Sequence, residues 1–291
     1  MPDINIVTVR SGRRVAVHRL AAGSGRTVLF FHAAPGSGRF DPDPAATEKR
    51  QVTLLAPNRP GYGDSDPVTG EAWASVASAA DETAELLLQM KSGPVGVAGW
   101  SAGGRVALAL AARHPELVDR VVILATPAPD EAVPWIPPEQ KLGLAALRGR
   151  PPAEVHAALS AQLSQMVPAG ASPAAALGML GQSPADADAL AAPGARDRLV
   201  AMLQEAMAQG MAGVAADIAG YCLRPWGFEP AQVQAKTLCL YGQKDPISGA
   251  RHGAWWQKNL PDARLEMVPA AGHLLVVPMW ARALSFLSPG R

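Results

Sequence analysis

The sequence predicts an α/β fold: a mostly parallel, eight-stranded sheet with helices on both faces and a helical segment inserted between strands 6 and 7. Three observations lead there. Short aliphatic runs such as Thr27-Val28-Leu29-Phe30-Phe31 show no polar alternation, so both of their faces are buried, as in central parallel strands covered on each side. These runs alternate with Ala- and Leu-rich helical stretches, the signature of a doubly wound sheet. A long middle segment then carries no convincing strand, and the strand pattern resumes after it.

In chain order, residues 4–10 and 15–20 read as a hairpin-like pair joined by Ser11-Gly12-Arg13. Continuous apolar strands follow at 27–31, 52–56, 94–98 and 120–124. A helix is expected over 83–90, and a second over 102–113, where His114-Pro115 ends it. Residues 127–230 are helical stretches broken by Pro and Gly, clearest at 154–166 and 196–208; they are read as a cap, or lid. Strands return at 237–241 and 264–268, and a last helix starts near Val276. The expected organisation is a core of residues 1–126 and 231–291 with a cap of residues 127–230.

Composition narrows the function. The chain has 291 residues, 18% of them charged, and a formal net charge of +1. There is no basic stripe for a phosphate backbone, so neither nucleic acid nor a membrane surface is an expected partner; a small molecule is. No apolar run approaches the roughly 18 residues of a membrane span, and the first residues lack the apolar centre of a secretory signal. Two cysteines, Cys222 and Cys239, make neither a disulfide framework nor a metal site, which fits a cytoplasmic setting.

The chemistry centres on Gly99-Trp100-Ser101-Ala102-Gly103, a G-x-S-x-G pattern. In a chain with 28 glycines the pattern alone is weak, but here it follows an apolar strand directly and opens an Ala-rich helix. A strand that turns sharply into a helix crowds the backbone at the nucleophile, so the flanking residues must be small. The turn lifts the Ser101 hydroxyl to the carboxyl end of the sheet, where ligands bind in such folds.

A serine hydroxyl needs a base to take its proton. Of the six histidines, His273 stands in a loop after the last strand and is the expected base. His252 is read as part of a solvated helix face, beside Arg251 and Lys258. Asp245, just past a strand end, is the expected acid and completes the chain order Ser, Asp, His. Asp245 before Pro246 also suits a helix N-cap, and Asp130 is the alternative acid.

These residues resemble the α/β-hydrolase superfamily, in its capped epoxide-hydrolase, haloperoxidase and proline-iminopeptidase-like branch. Phe31-His32-Ala33-Ala34-Pro35-Gly36-Ser37 looks like the family's H-G-x-P-G-S loop. Asn58-Arg59-Pro60-Gly61-Tyr62-Gly63-Asp64-Ser65-Asp66 looks like its R-P-G-Y-G-x-S loop, and Gly99 to Gly104 like its elbow. The resemblance implies an oxyanion hole built from the backbone N–H groups of Ala34 and Ala102, with no cofactor and no metal. Ala33 stands where the family usually has Gly, so the loop must avoid backbone conformations that only Gly tolerates. His32, Arg59, Tyr62 and Asp64 are expected to be scaffolding, and Trp100 to pack against the sheet.

A serine at the elbow separates the chain from epoxide hydrolases and haloalkane dehalogenases, which attack with Asp. Cleavage of an uncharged ester, thioester or lactone through an acyl-enzyme is the expected activity. Peracid formation and carbon–carbon hydrolysis use the same triad and stay open, as does a non-catalytic small-molecule receptor.

Overall fold

Alternate residues of each central strand face opposite helical layers, and this determines the architecture. The computed structural model describes residues 3–166 and 177–289. Strands β1 (Asp3–Thr8), β2 (Arg14–Ala22) and β3 (Thr27–Phe31) lead to helix α1 (Pro44–Arg50) and strand β4 (Thr53–Pro57). Then come α2 (Val76–Gln89), β5 (Val95–Trp100), α3 (Ala102–Arg113) and β6 (Val118–Leu124). The strands order as β1-β2-β4-β3-β5-β6 and continue with β7 (Lys236–Gly242) and β8 (Ala263–Val268). Only the pairs β1–β2 and β2–β4 are antiparallel. The eight strands and their mostly parallel arrangement match the sequence expectation.

In β3, Leu29 and Phe31 pack towards one layer, while Val28 and Phe30 pack towards the other. The same alternation divides Val121 and Ile123 from Val122 and Leu124 in β6. The first layer holds α2, α3 and Trp256 of α9 (Ala250–Asn259). The second holds α10 (Trp280–Leu287), which buries Trp280, Ala283, Leu284 and Leu287. Runs apolar at every position are the consequence of a sheet covered on both sides.

Between β6 and β7 the described residues form α4 (Pro138–Leu147), α5 (Pro152–Met166), α6 (Ala187–Ala191), α7 (Ala195–Ala206) and α8 (Ala212–Ile218). No strand occurs among the described residues there. Residues 167–176 of the expected cap lie outside the described residues. The expected helix over 83–90 begins seven residues earlier, at Val76, because Ser75 and Ser78 form a capping box there. The last helix starts at Trp280 instead of Val276, since residues 274–279 first form turns that bury Leu274 to Val277 in the second layer.

Candidate active site

The site forms where β5 runs into α3. Ser101 adopts φ 53° and ψ −119°, a strained conformation for a residue with a side chain. The small neighbours make this possible. A Cβ at Gly99 would come within 2.5 Å of the Gly103 carbonyl oxygen and of Gly104 Cα. One at Gly103 would overlap the carbonyl oxygens of Phe31 and His32, so the loop after β3 lies directly against the first turn of α3. The Ser101 N–H donates to Leu124 O at 2.8 Å, which ties the turn to β6.

His273 and Asp245 reach Ser101 from the loops after β8 and β7. His273 Nε2 lies 3.0 Å from Ser101 Oγ, and its Nδ1 lies 2.8 Å from Asp245 Oδ2. A carboxylate can only accept, so Nδ1 carries the proton and Nε2 turns its lone pair to the hydroxyl. All three residues are buried. Burial alone would push the Asp245 carboxyl up. The hydrogen bond and charge of His273, with the Ser248 and Ile247 backbone N–H groups, outweigh it and hold the carboxyl below the usual range.

Those N–H groups reach Asp245 Oδ1 at 2.8 Å from Ile247 and 3.1 Å from Ser248. The Asp245 side chain therefore caps its own turn, while helix α9 starts only at Ala250 behind Gly249. The N-cap expectation is thereby replaced by a local Asx-type turn, which leaves Oδ2 for the imidazole and for the Ser248 hydroxyl, which donates to it at 3.1 Å. Asp130 is engaged elsewhere, with the backbone N–H groups of Trp135 and Ile136 at 2.8 Å each and with Lys141 Nζ at 2.5 Å. Trp100 is fully buried, and its indole N–H donates to His273 O at 3.0 Å.

His252 departs from expectation. It is 4% exposed, and its Nδ1 accepts the Ala128 N–H at 3.0 Å. Burial lowers its imidazole to about 4, so the ring is neutral and part of the core, whereas Arg251 and Lys258 carry the exposed side of the same helix.

The loop bearing Ala34 is held from behind. Ala33 is buried without a positive φ, so the family's Gly is dispensable in this backbone. Arg59 Nη1 donates to His32 O at 2.6 Å and Nη2 to Ala33 O at 2.9 Å. His32 Nδ1 donates to the same Ala33 oxygen at 2.7 Å, and its Nε2 faces the Arg59 N–H at 3.4 Å. Burial and then the Arg59 charge push His32 well below its ordinary value, which keeps the ring neutral. Among the described residues, no protein acceptor receives the N–H of Ala34 or of Ala102.

Three carboxylates of the segment between β6 and β7 reach this end of the sheet, and sequence reasoning missed all three. Asp217 accepts Arg59 Nε at 3.0 Å, Arg59 Nη2 at 2.7 Å and the Tyr62 hydroxyl at 2.8 Å. Asp186 accepts the Leu274 N–H at 2.8 Å, next to His273. Glu205 lies 2.7 Å from His18 Nε2 and accepts Asn58 Nδ2 at 3.1 Å. Asp217 had a readable signal, as the lone charge in the apolar stretch Ala212–Ile218. Asp186 sits in a capping box with Ser183, which gives it an ordinary local reading.

Arg105, one turn into α3, was also missed. It is 1% exposed, and its guanidinium lies 4.7 to 5.1 Å from the ring centres of Tyr221, Trp226 and Trp135. Of the expected scaffolding, Asp64 is exposed. Cys222 and Cys239 are free thiols that burial pushes up to about 11 and 12. Among the described residues, no group of three His, Cys, Asp or Glu side chains is placed to hold a metal ion, and no helix is long and apolar enough to cross a membrane.

Comparison with known proteins gives a consistent picture. A family model described as alpha/beta hydrolase fold matches residues 26–277. A pimeloyl-[acyl-carrier protein] methyl ester esterase of Chromobacterium violaceum is 29% identical over 211 residues, 67% of this chain and 68% of that protein. Its namesake from Nitrosomonas europaea is 26% identical over 264 residues, 89% of this chain and 92% of that one. Among solved structures, a thermophilic esterase from Thermogutta terrifontis superposes with a TM-score of 0.71 at 22% identity, covering 97% of this chain and 96% of its own.

Proposed function

The chain belongs to the α/β hydrolase fold family, and on that premise we propose that it is a serine hydrolase that cleaves an uncharged ester-type bond through an acyl-enzyme. The observation that carries this reading is the continuous relay from Ser101 Oγ to His273 Nε2 at 3.0 Å and from His273 Nδ1 to Asp245 at 2.8 Å. It sits on a strained turn at the carboxyl end of the sheet.

In this mechanism Ser101 Oγ bonds to the carbonyl carbon as its proton passes to His273 Nε2. The carbonyl π pair moves onto oxygen, and the N–H groups of Ala34 and Ala102 receive that oxyanion. The intermediate collapses, the carbon–oxygen bond to the alcohol breaks, and the alcohol leaves with the proton from His273. Water then repeats the sequence on the Ser101 acyl ester and releases the acid. Asp245 stays ionised and holds the imidazole in the required tautomer.

Residues 127–230 act as the cap of a core formed by 1–126 and 231–291. Support comes from Asp186, Asp217 and Glu205, each bonded to a loop of the core. The expected partner is a small-molecule substrate, and the setting is reducing and cytoplasmic. The two relatives are named for a methyl ester, the bond class proposed here.

Among the described residues, the cavity lined by Lys141, Arg148 and Arg224 of the cap is also lined by Asp130, Glu131 and Glu229, so its charges balance and it does not favour an anionic substrate. Matched neutral and carboxylate-bearing esters test this, compared by kcat/KM within a panel that includes lactones and thioesters of graded acyl length. The neutral member of each pair is the better substrate by about tenfold or more, the cost of roughly one unpaired charge at a partly desolvated site. A preference for the charged member overturns the substrate class, and absence of turnover across the panel overturns the hydrolase reading.

A further inference from the structure

The oxyanion loop carries its own clamp, and the clamp is completed by the segment between β6 and β7. Ala33 C=O and Ala34 N–H belong to one planar trans peptide, so they point in opposite directions and move as one body. Fixing the oxygen therefore fixes the aim of the N–H. Two donors fix it here, Arg59 Nη2 at 2.9 Å and His32 Nδ1 at 2.7 Å, while Arg59 Nη1 holds the preceding carbonyl, His32 O, at 2.6 Å. The planar guanidinium thus spans two consecutive carbonyls of the loop, a geometry that a lysine ammonium cannot reproduce.

Arg59 is itself held by a two-pronged pair with Asp217, at 3.0 and 2.7 Å, and Tyr62 donates to the same carboxylate at 2.8 Å. Arg59 is 4% exposed and Asp217 7%, so neither can exchange its partner for water without local opening. A buried guanidinium without its carboxylate would be strongly disfavoured. Asp217 is therefore required to hold Arg59 where it is.

We propose that Arg59 is a positioning residue for the reaction, aiming the Ala34 N–H at the oxyanion, and that Asp217 of the inserted segment sets Arg59 for that task. This rests on the serine-hydrolase reading above. Arg59 acts through the peptide and makes no contact with substrate. The Asp217 carboxylate neutralises its charge, so its contribution is geometric: the donor direction and the polarisation of the peptide by two donors on its oxygen. Because the oxyanion exists only along the reaction path, the loss falls on kcat and spares ground-state binding.

The test uses the full chain with Arg59→Lys and Asp217→Asn, alongside Ser101→Ala as the reference for the underlying reading. Each is measured for kcat and KM on a neutral activated ester. Inhibition is measured with a trifluoromethyl ketone, whose carbonyl carbon bonds to Ser101 Oγ and leaves an oxyanion, and with the matching methyl ketone, which stays trigonal. Arg59→Lys is expected to lower kcat by about 10- to 100-fold, somewhat less than removal of a whole oxyanion donor. KM and methyl ketone affinity stay within about threefold, and trifluoromethyl ketone affinity falls in parallel with kcat. Asp217→Asn, which keeps the size of the side chain, gives the same split with a smaller loss and keeps the proposal testable if Arg59→Lys does not fold.

Folded variants with parent kcat and parent trifluoromethyl ketone affinity overturn the clamp. So does a loss that appears in KM and in both ketones alike, the mark of general pocket damage. If Ser101→Ala keeps parent turnover, the serine reading itself fails, and the clamp falls with it.

Discussion

Asp245 shows how a single side chain separates two roles that its sequence context leaves merged. One carboxylate oxygen accepts the N–H groups of Ile247 and Ser248, and the other faces His273. The turn-forming chemistry of an Asp before Pro therefore uses Oδ1 and leaves Oδ2 to His273 and the Ser248 hydroxyl, and the helix that follows starts without a side-chain cap from Asp245. Asp130, the alternative acid after β6, spends its acceptors on Trp135, Ile136 and Lys141. Replacing Asp245 by Asn is expected to lower kcat by about 10²- to 10⁴-fold, because an amide favours the wrong imidazole tautomer. Asp130→Asn should leave kcat within about threefold. Steady-state kinetics on both variants, with circular dichroism to verify folding, checks this; the opposite pattern reassigns the acid. His252 is the residue whose sequence context misled. Its neighbours Arg251 and Lys258 are exposed, but a helix presents different faces at successive positions, and His252 turns inward to accept the Ala128 N–H.

At the scale of elements, the strands were the most legible part, because β3, residues 121–124 of β6 and residues 238–241 of β7 are uninterrupted apolar runs whose two faces need cover. Helix starts were less so: Ser75 and Ser78 cap α2 by a reciprocal pair of short polar side chains that resembles any serine-rich turn. Helix α1, with Asp43 as its N-cap, was not anticipated either. Its Thr47 hydroxyl donates to Asp41 at 2.9 Å and accepts the Trp280 indole N–H at 2.8 Å, joining α1 to α10. Burial, above all, raises the Asp41 carboxyl to about 6, despite the Thr47 and Asp43 hydrogen bonds that lower it. A carboxyl that binds its proton more tightly in the folded state gives stability fully present below the unfolded value near 4. That stability is lost as pH rises through about 6. From this group alone the loss is about 2–3 kcal/mol. Asp41→Asn stays neutral and keeps an acceptor, so its denaturant midpoint should decline less than the parent's between pH 4 and pH 7. Equal declines in the two proteins would contradict the assignment.

Across the whole molecule, the proposed site joins residues that are far apart in sequence: Ala34 after β3, Ser101 after β5, Asp245 after β7 and His273 after β8. Their chain order and loop positions could be read from the sequence, since each follows a strand and parallel strands deliver their carboxyl ends to one edge. Of the inserted segment's contribution, only Asp217 left a signal, as the lone charge in Ala212–Ile218. Asp186, Asp217 and Glu205 each bond to a loop that local patterning describes without them. Long-range partners of buried carboxylates leave no periodic trace. Two methionines of that segment serve as packing: Met202 is fully buried in the second layer, and Met211 packs with Tyr62, Ala206 and Val214. Because assembly depends on the whole fold, a reactive Ser101 should exist only in the folded chain. The most direct measurement is labelling with a fluorophosphonate probe, read by mass spectrometry of the intact protein and of its peptides. The account predicts one adduct per chain, on Ser101, abolished by Ser101→Ala and by denaturation and much slowed in Asp245→Asn. Labelling of Ser101→Ala as fast as the parent, or no adduct on the folded parent, would contradict it.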